Sequence, residues 1–186
     1  MRSTIRTVLA ALVIVLPVVA CSSKGADLPP LTAAKTDDTS YRLGAGDKLH
    51  VQVLGADELT GDYTVGDNGA IGMPLIGEIK AGGLTRNQLE REMERKLAEG
   101  YLKNPKVSVG IMTYRPFYIY GEVMKPGEYP YASGMRVMSA VATAGGYTYR
   151  ANESFVVVTR NGQDRRASPD TAIQPDDVIK VPERYF

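Results

Sequence analysis

Residues 84–100 read "LTRNQLEREMERKLAEG", and this stretch carries a full set of helix signals. Thr85 stands at an N-cap with Gln88 three residues later, the spacing of a capping box, and Leu84 and Leu89 are placed for a hydrophobic staple. Leu89, Met93 and Leu97 fall on one stripe of a 3.6-residue period. Glu92 and Lys96 are spaced for a favourable i,i+4 ion pair, and Gly100 supplies the stop. A helix with a single apolar stripe needs a surface to cover, and the flanking sequence predicts one made of strands.

Upstream, "YRLGAGDKLHVQVLG" (41–55) has Gly44, Gly46 and Asp47 as a turn. Leu49, Val51 and Val53 then alternate with His50 and Gln52, the period of a half-buried strand. In "YTVGDNGAIGMPLIG" (63–77), Asn68-Gly69 lies between two alternating runs and predicts a hairpin. Downstream, Val107, Val109 and Ile111 alternate as another strand. Residues 41–114 therefore read as a small α+β unit with one helix laid on a sheet.

A second unit, residues 115–186, opens at Arg115-Pro116. "FYIYGEV" (117–123) is a strand, "KPGEYPY" (125–131) a turn into a short strand, and "GMRVMSAVATAGG" (134–146) a helix closed by Gly145-Gly146. "SFVVVTRNGQDRR" (154–166) is a strand entering a hairpin at Asn161-Gly162, and "QPDDVIKVPERYF" (174–186) gives a turn and a last strand. Four or five strands with one helix between the second and third read as a β-grasp arrangement, so the fold class is α+β throughout.

The N-terminus reads differently. Arg2 and Arg6 precede an almost wholly apolar run over residues 8–19, then Ala20 and Cys21. Basic, apolar, then small is the order of a secretory signal peptide, here residues 1–20. The run is shorter than the ~20 residues that span a bilayer. Cys21 is the sole cysteine, so it has no partner for an internal disulfide or a metal pair. The setting resembles the lipobox of bacterial lipoproteins, which implies cleavage before Cys21 and lipid attachment to its thiol. Ser22 rather than Asp after the cysteine favours the outer membrane on that resemblance. Residues 21–40, polar and rich in Pro, Gly and Ala, read as a tether between the lipid and the folded body.

Composition narrows the function classes. Without residues 1–20 the chain keeps twenty basic and twenty-one acidic side chains, a balance that does not suggest nucleic acid as a partner. No later run is long and apolar enough for a transmembrane helix. His50 is the lone histidine and reads as a solvated strand residue, with no nucleophile beside it to activate. No phosphate-cradling GxxxxGK[ST] occurs, and there is no Cys/His cluster for zinc. Asp37-Asp38 falls in the tether, while Asp47 and Asp176-Asp177 read as turn carboxylates that cap backbone amides at the start of a strand. No catalytic residue, metal site or cofactor is expected, and the protein is not expected to be an enzyme.

"YRLGAGDKLHVQVLG", "GAIGMPLIGEIKAGGLTRNQLEREMERKL" and "YLKNPKVSVGI" resemble the polysaccharide export domain of bacterial capsule and exopolysaccharide exporters. "FYIYGEVMKPGEYPYASGMRVMSAVATAGGYTYRA" with "DDVIKVP" is similar to the soluble-ligand-binding β-grasp (SLBB) module that follows it in those proteins. The resemblance implies a lipoprotein, anchored through Cys21 at the periplasmic face of the outer membrane, that forms a homo-oligomeric ring. Through that ring a polysaccharide chain leaves the cell, with no nucleotide used by the ring itself. The implied partners are an inner-membrane polysaccharide co-polymerase of the tyrosine-kinase type and, since no amphipathic helix follows "VPERYF" as in long members, a separate outer-membrane β-barrel. The alternative is a lipid-tethered β-grasp module that binds a glycan or partner and forms no channel. Tyr147, Tyr149 and Arg150, in the loop "GGYTYRA" (145–151), are the candidate contacts with sugar or partner. Tyr118 and Tyr120 share one strand face and read as core or subunit interface.

Overall fold

The computed structural model describes residues 27–31 and 41–184. The expected signal peptide, Cys21 and most of the expected tether lie outside them. Two hydrophobic cores form, one from residues between Leu43 and Val109 and one from residues between Phe117 and Val181.

The first core sits under a three-stranded antiparallel sheet in the order β2-β1-β5, from β1 (Lys48–Val53), β2 (Gly61–Thr64) and β5 (Val107–Thr113). Alternation in β1 sends Leu49, Val51 and Val53 inward and His50 and Gln52 to solvent. A separate hairpin, β3 (Ala70–Met73) with β4 (Gly77–Lys80), adds Ile71, Met73 and Ile79 to the same core. The helix α1 (Arg86–Ala98) has its full capping box at Thr85 and Gln88 and buries Leu89, Met93 and Leu97. Full burial of each such side chain contributes about 1.5–3 kcal/mol, so the stripe fixes this helix on the sheet.

Two expectations for this unit are corrected. Asn68-Gly69 does not join paired strands: β2 and β3 belong to different sheets, and the dipeptide closes a loop in which Gly66 N–H bonds the Ala70 carbonyl. The hairpin turn is residues 74–76 instead, with Leu75 in the left-handed region (φ 69°). Nor is Lys96 the close partner of Glu92, on which its charge acts only through space. Arg95 takes Glu92 and Glu99, while Lys96 Nζ donates to the Glu78 carbonyl at 2.8 Å.

The second core is built on a five-stranded sheet, order β7-β6-β10-β8-β9, from β6 (Phe117–Gly121), β7 (Gly127–Tyr129), β8 (Val156–Arg160), β9 (Gln163–Ala167) and β10 (Val178–Val181). The last strand enters the middle of the sheet, parallel to β6 and antiparallel to β8, and α2 (Val137–Thr143) packs Val137, Ala140 and Val141 on one face. Asn161 (φ 51°) and Gly162 (φ 73°) form the two-residue turn between β8 and β9, the type I′ geometry that suits this dipeptide. The fold is α+β, with the β-grasp order in its second half. Tyr118 and Tyr120 do share a face of β6, but both are exposed, so neither is a core residue.

The tether reading is corrected in part. Residues 29–31 run along β9 in parallel: Leu31 N–H bonds the Arg166 carbonyl at 2.7 Å and Arg166 N–H bonds the Pro29 carbonyl at 3.0 Å. Leu31 packs against the second core. A stretch that precedes the first unit in sequence thus extends the sheet of the second.

Candidate functional site

Between the two units lies a polar and aromatic junction. "GAGD" (44–47) and "QPDD" (174–177) each make the same turn just before a strand. In the first, Gly44 N–H bonds Asp47 Oδ2 at 2.8 Å and Asp47 N–H bonds the Gly44 carbonyl at 3.2 Å. In the second, Gln174 N–H bonds Asp177 Oδ2 at 2.7 Å and Asp177 N–H bonds the Gln174 carbonyl at 3.2 Å. The third residue of each is left-handed, Gly46 at φ 93° and Asp176 at φ 68°. The turn-carboxylate reading of Asp47 and Asp177 holds, and both are fully buried.

Their remaining bonds reach much farther along the chain. Asp47 Oδ1 accepts the backbone N–H of Arg115 at 3.1 Å, and the Tyr41 hydroxyl donates to Oδ2 at 2.7 Å and Oδ1 at 2.9 Å. Arg115 Nη2 donates to the Tyr41 oxygen at 3.2 Å, and its Nη1 pairs with Asp176. Asp177 is gripped by Arg160 through Nε at 2.8 Å and Nη2 at 2.7 Å. Burial pushes the Tyr41 hydroxyl far above its ordinary titration range; its bond from Arg115 pulls the other way and the adjacent Asp47 carboxylate adds to the rise. Gly44 makes the arrangement possible, since a Cβ there would stand 2.6 Å from Arg115 Cζ. Tyr41, Tyr114 and Tyr131 continue the junction edge to face, with ring centroids 5.1 and 5.4 Å apart. Tyr41 packs on the first core and Tyr131 on the second.

This junction encloses a cleft of about 340 Å³. Arg42, Arg115 and Arg160 on its walls face Asp176 and Asp177, so its charges are largely matched internally. Its lining residues include no serine, cysteine or histidine. Its chemistry is that of a clamp between two units. Among the described residues no group of three or more His, Cys, Asp or Glu is placed to hold a metal ion, and no helix is long and apolar enough to cross a membrane, which says nothing of a β-barrel.

The candidate contact residues lie elsewhere, in the loop after α2. Tyr149 is exposed, and Arg150 is tied to Glu183 at 2.7 Å and approaches Glu122 at 3.9 Å. Tyr147 is half-buried and bridges Val123; its hydroxyl is buried without a hydrogen-bond partner, and burial, with the nearby Glu153 charge, raises its pKa. The three residues therefore differ in setting: Tyr147 packs, Arg150 is paired with Glu183, and the exposed Tyr149 hydrogen-bonds Arg150. His50, on the solvent side of β1, pairs across the strand with Asp62 at 2.7 Å. The junction residues Tyr41 and Arg115 escaped the sequence reading. The one signal that pointed there was Arg115-Pro116 at the border between units.

A profile of polysaccharide biosynthesis/export proteins matches residues 35–112, and a profile of the SLBB domain matches residues 116–168. The exopolysaccharide production protein ExoF of Rhizobium meliloti (strain 1021) is 35% identical over 197 residues, covering 89% of this chain and 46% of its own. The EPS I polysaccharide export outer membrane protein EpsA of Ralstonia nicotianae is 30% identical over 184 residues, covering 84% of this chain and 47% of its own. The polysialic acid transport protein KpsD of Escherichia coli is 28% identical over 159 residues, covering 82% of this chain and 28% of its own. The chain thus spans less than half the length of these relatives. With both profiles matched in consecutive order over two units of the expected fold, the chain belongs to the polysaccharide biosynthesis/export family and carries one export domain followed by one SLBB domain.

Proposed function

We propose that this protein is a component of polysaccharide export in the bacterial envelope, a ring-forming lipoprotein through which the polymer passes. The observation that carries the reading is the consecutive pair of domain matches, shared with relatives named for exopolysaccharide production, export and polysialic acid transport. A hydrated polymer does not dissolve in hydrocarbon, and a polar lumen enclosed by head-to-tail copies of one subunit solves that problem when the rotation closes. The ring is a passive conduit: the sequence has no nucleotide-binding motif, and the driving force comes from other components. Cys21 carries the lipid that holds the assembly at the periplasmic face of the outer membrane, since several acyl chains at about 0.8 kcal/mol per buried methylene anchor firmly. An inner-membrane co-polymerase delivers the chain, and a separate β-barrel completes the outer pore.

The test is surface and periplasmic polysaccharide in a deletion strain complemented with wild-type or Cys21→Ala copies. Loss of surface polymer, restored fully by the wild type alone, is the expected result. Unchanged polymer amount and chain length in the deletion, in a strain without a second exporter gene, would sink the conduit reading in favour of a tethered binding module.

A further inference from the structure

The two sheets close their exposed edges by different means. In the first, β5 is an edge strand, and two side chains of α1 cover it: Glu90 accepts the Val109 N–H at 2.9 Å and Glu94 accepts the Val107 N–H at 3.2 Å. That closure belongs to the unit it protects. In the second, β9 is the edge, and what covers it is residues 29–31, a segment that lies outside both contiguous units. An open edge is a template for another strand, so the identity of the covering segment matters.

We infer that the β9 edge is a strand-acceptor site whose partner in the assembled protein is the 29–31 segment of a second copy of this chain. This rests on the ring reading above and names one contact of it. The donor is at hand: the acceptor already binds this very sequence, through the Leu31 and Arg166 backbone bonds and the packing of Leu31 on the second core. The hold is local. Pro29 and Pro30 have no N–H to give, and a cleft of about 460 Å³ remains between the segment and Phe155, Ser168 and Thr171. Nine residues, 32–40, separate Leu31 from Tyr41, a span of up to about 30 Å when extended. Contacts made within a chain and between chains are then identical, and exchange between neighbours alters only the loop-closure entropy of that connection. Passed from each copy to the next, the segment makes a head-to-tail contact of the kind that closes rings.

Two differently tagged full-length chains, both in a Cys21→Ser background, test this. One carries Pro30→Cys and the other Arg166→Cys. Directly paired residues on neighbouring strands lie about 4.8 Å apart, within disulfide range, so only exchange between chains links the two tags. The expected result is a disulfide-bonded heterodimer when co-expressed chains are oxidised. No heterodimer, while one chain carrying both substitutions closes an internal disulfide, overturns the inference. Light scattering on the same samples separates the two failures: an oligomer without the cross-link leaves the ring reading standing, and a monomer removes it as well.

Discussion

Asp47 and Asp177 show how one side chain serves two levels of structure. Each satisfies a turn amide and also lies against a guanidinium: Arg115 at 3.5 Å for the first, and Arg160, hydrogen-bonded at 2.7 Å, for the second. Removing one partner of a buried pair leaves the other charge uncompensated, at about 3–5 kcal/mol. Asp177→Ala is therefore expected to lower stability to urea by that amount, more than any substitution at the exposed Asp62; an effect below about 1 kcal/mol would show that Arg160 finds water instead. Tyr41 gives a pH signature. Burial favours its neutral phenol in the folded protein, whereas the unfolded chain ionises it near pH 10. Its contribution is full below pH 10 and declines above it, where folding has to restore the proton, with a slope of about 1.4 kcal/mol per pH unit. Tyr41→Phe is expected to flatten the alkaline arm of the urea-midpoint profile between pH 10 and 11. An unchanged slope would place that phenol in contact with solvent.

Among the elements, α1 and β1 were readable from sequence because their signals are local: capping box, stripe and alternation all lie within a few turns or residues. The same dipeptide in two places marks where that locality ends. Asn161-Gly162 has both residues left-handed and joins β8 to β9 as expected, while Asn68-Gly69 has only the glycine so and joins strands of different sheets. The local signal reports a turn; which strands flank it as partners is decided by where β3 finds β4. Glu90 and Glu94 were equally silent, since they look like the solvent face of a charged helix. Their removal is informative. Glu90→Ala with Glu94→Ala strips the β5 edge of two acceptors, each unsatisfied donor costing about 1–3 kcal/mol. A lowered unfolding midpoint and faster aggregation are expected, with the Gln pair restoring both because an amide oxygen still accepts. Aggregation unchanged in the Ala pair would mean that water covers the edge adequately.

For the whole molecule, the least legible features are the ones that join its parts. Contacts from Arg115 to Asp47 and Asp176 cross 68 and 61 residues of sequence, and no periodicity or turn motif encodes such a register. The 29–31 segment was hidden for the opposite reason: two prolines and no alternation look like linker, yet a single bridge to β9 needs neither. The Tyr147, Tyr149 and Arg150 loop was singled out by composition, which carries no sign of how its side chains pack or pair. These joints set the relation between the two units, and Arg115 is the one to remove. In wild type, the clamp and the tyrosine stack couple the two cores, and thermal unfolding is expected as one transition. Arg115→Ala frees both turns at once: Asp47 and Asp176 lose their shared cation, at about 1–3 kcal/mol, because Asp176 is exposed and the buried Asp47 keeps the Tyr41 hydroxyl and its backbone amides. Calorimetry is then expected to resolve two transitions. Amide exchange should rise at residues 44–47 and 174–177 and stay slow in α1 and β8. Arg115→Lys should fall between, because a single ammonium cannot fork to two carboxylates as a guanidinium does. A single unshifted transition in Arg115→Ala would assign the coupling to the Tyr41, Tyr114 and Tyr131 rings, and Tyr114→Ala would then be the variant that splits it.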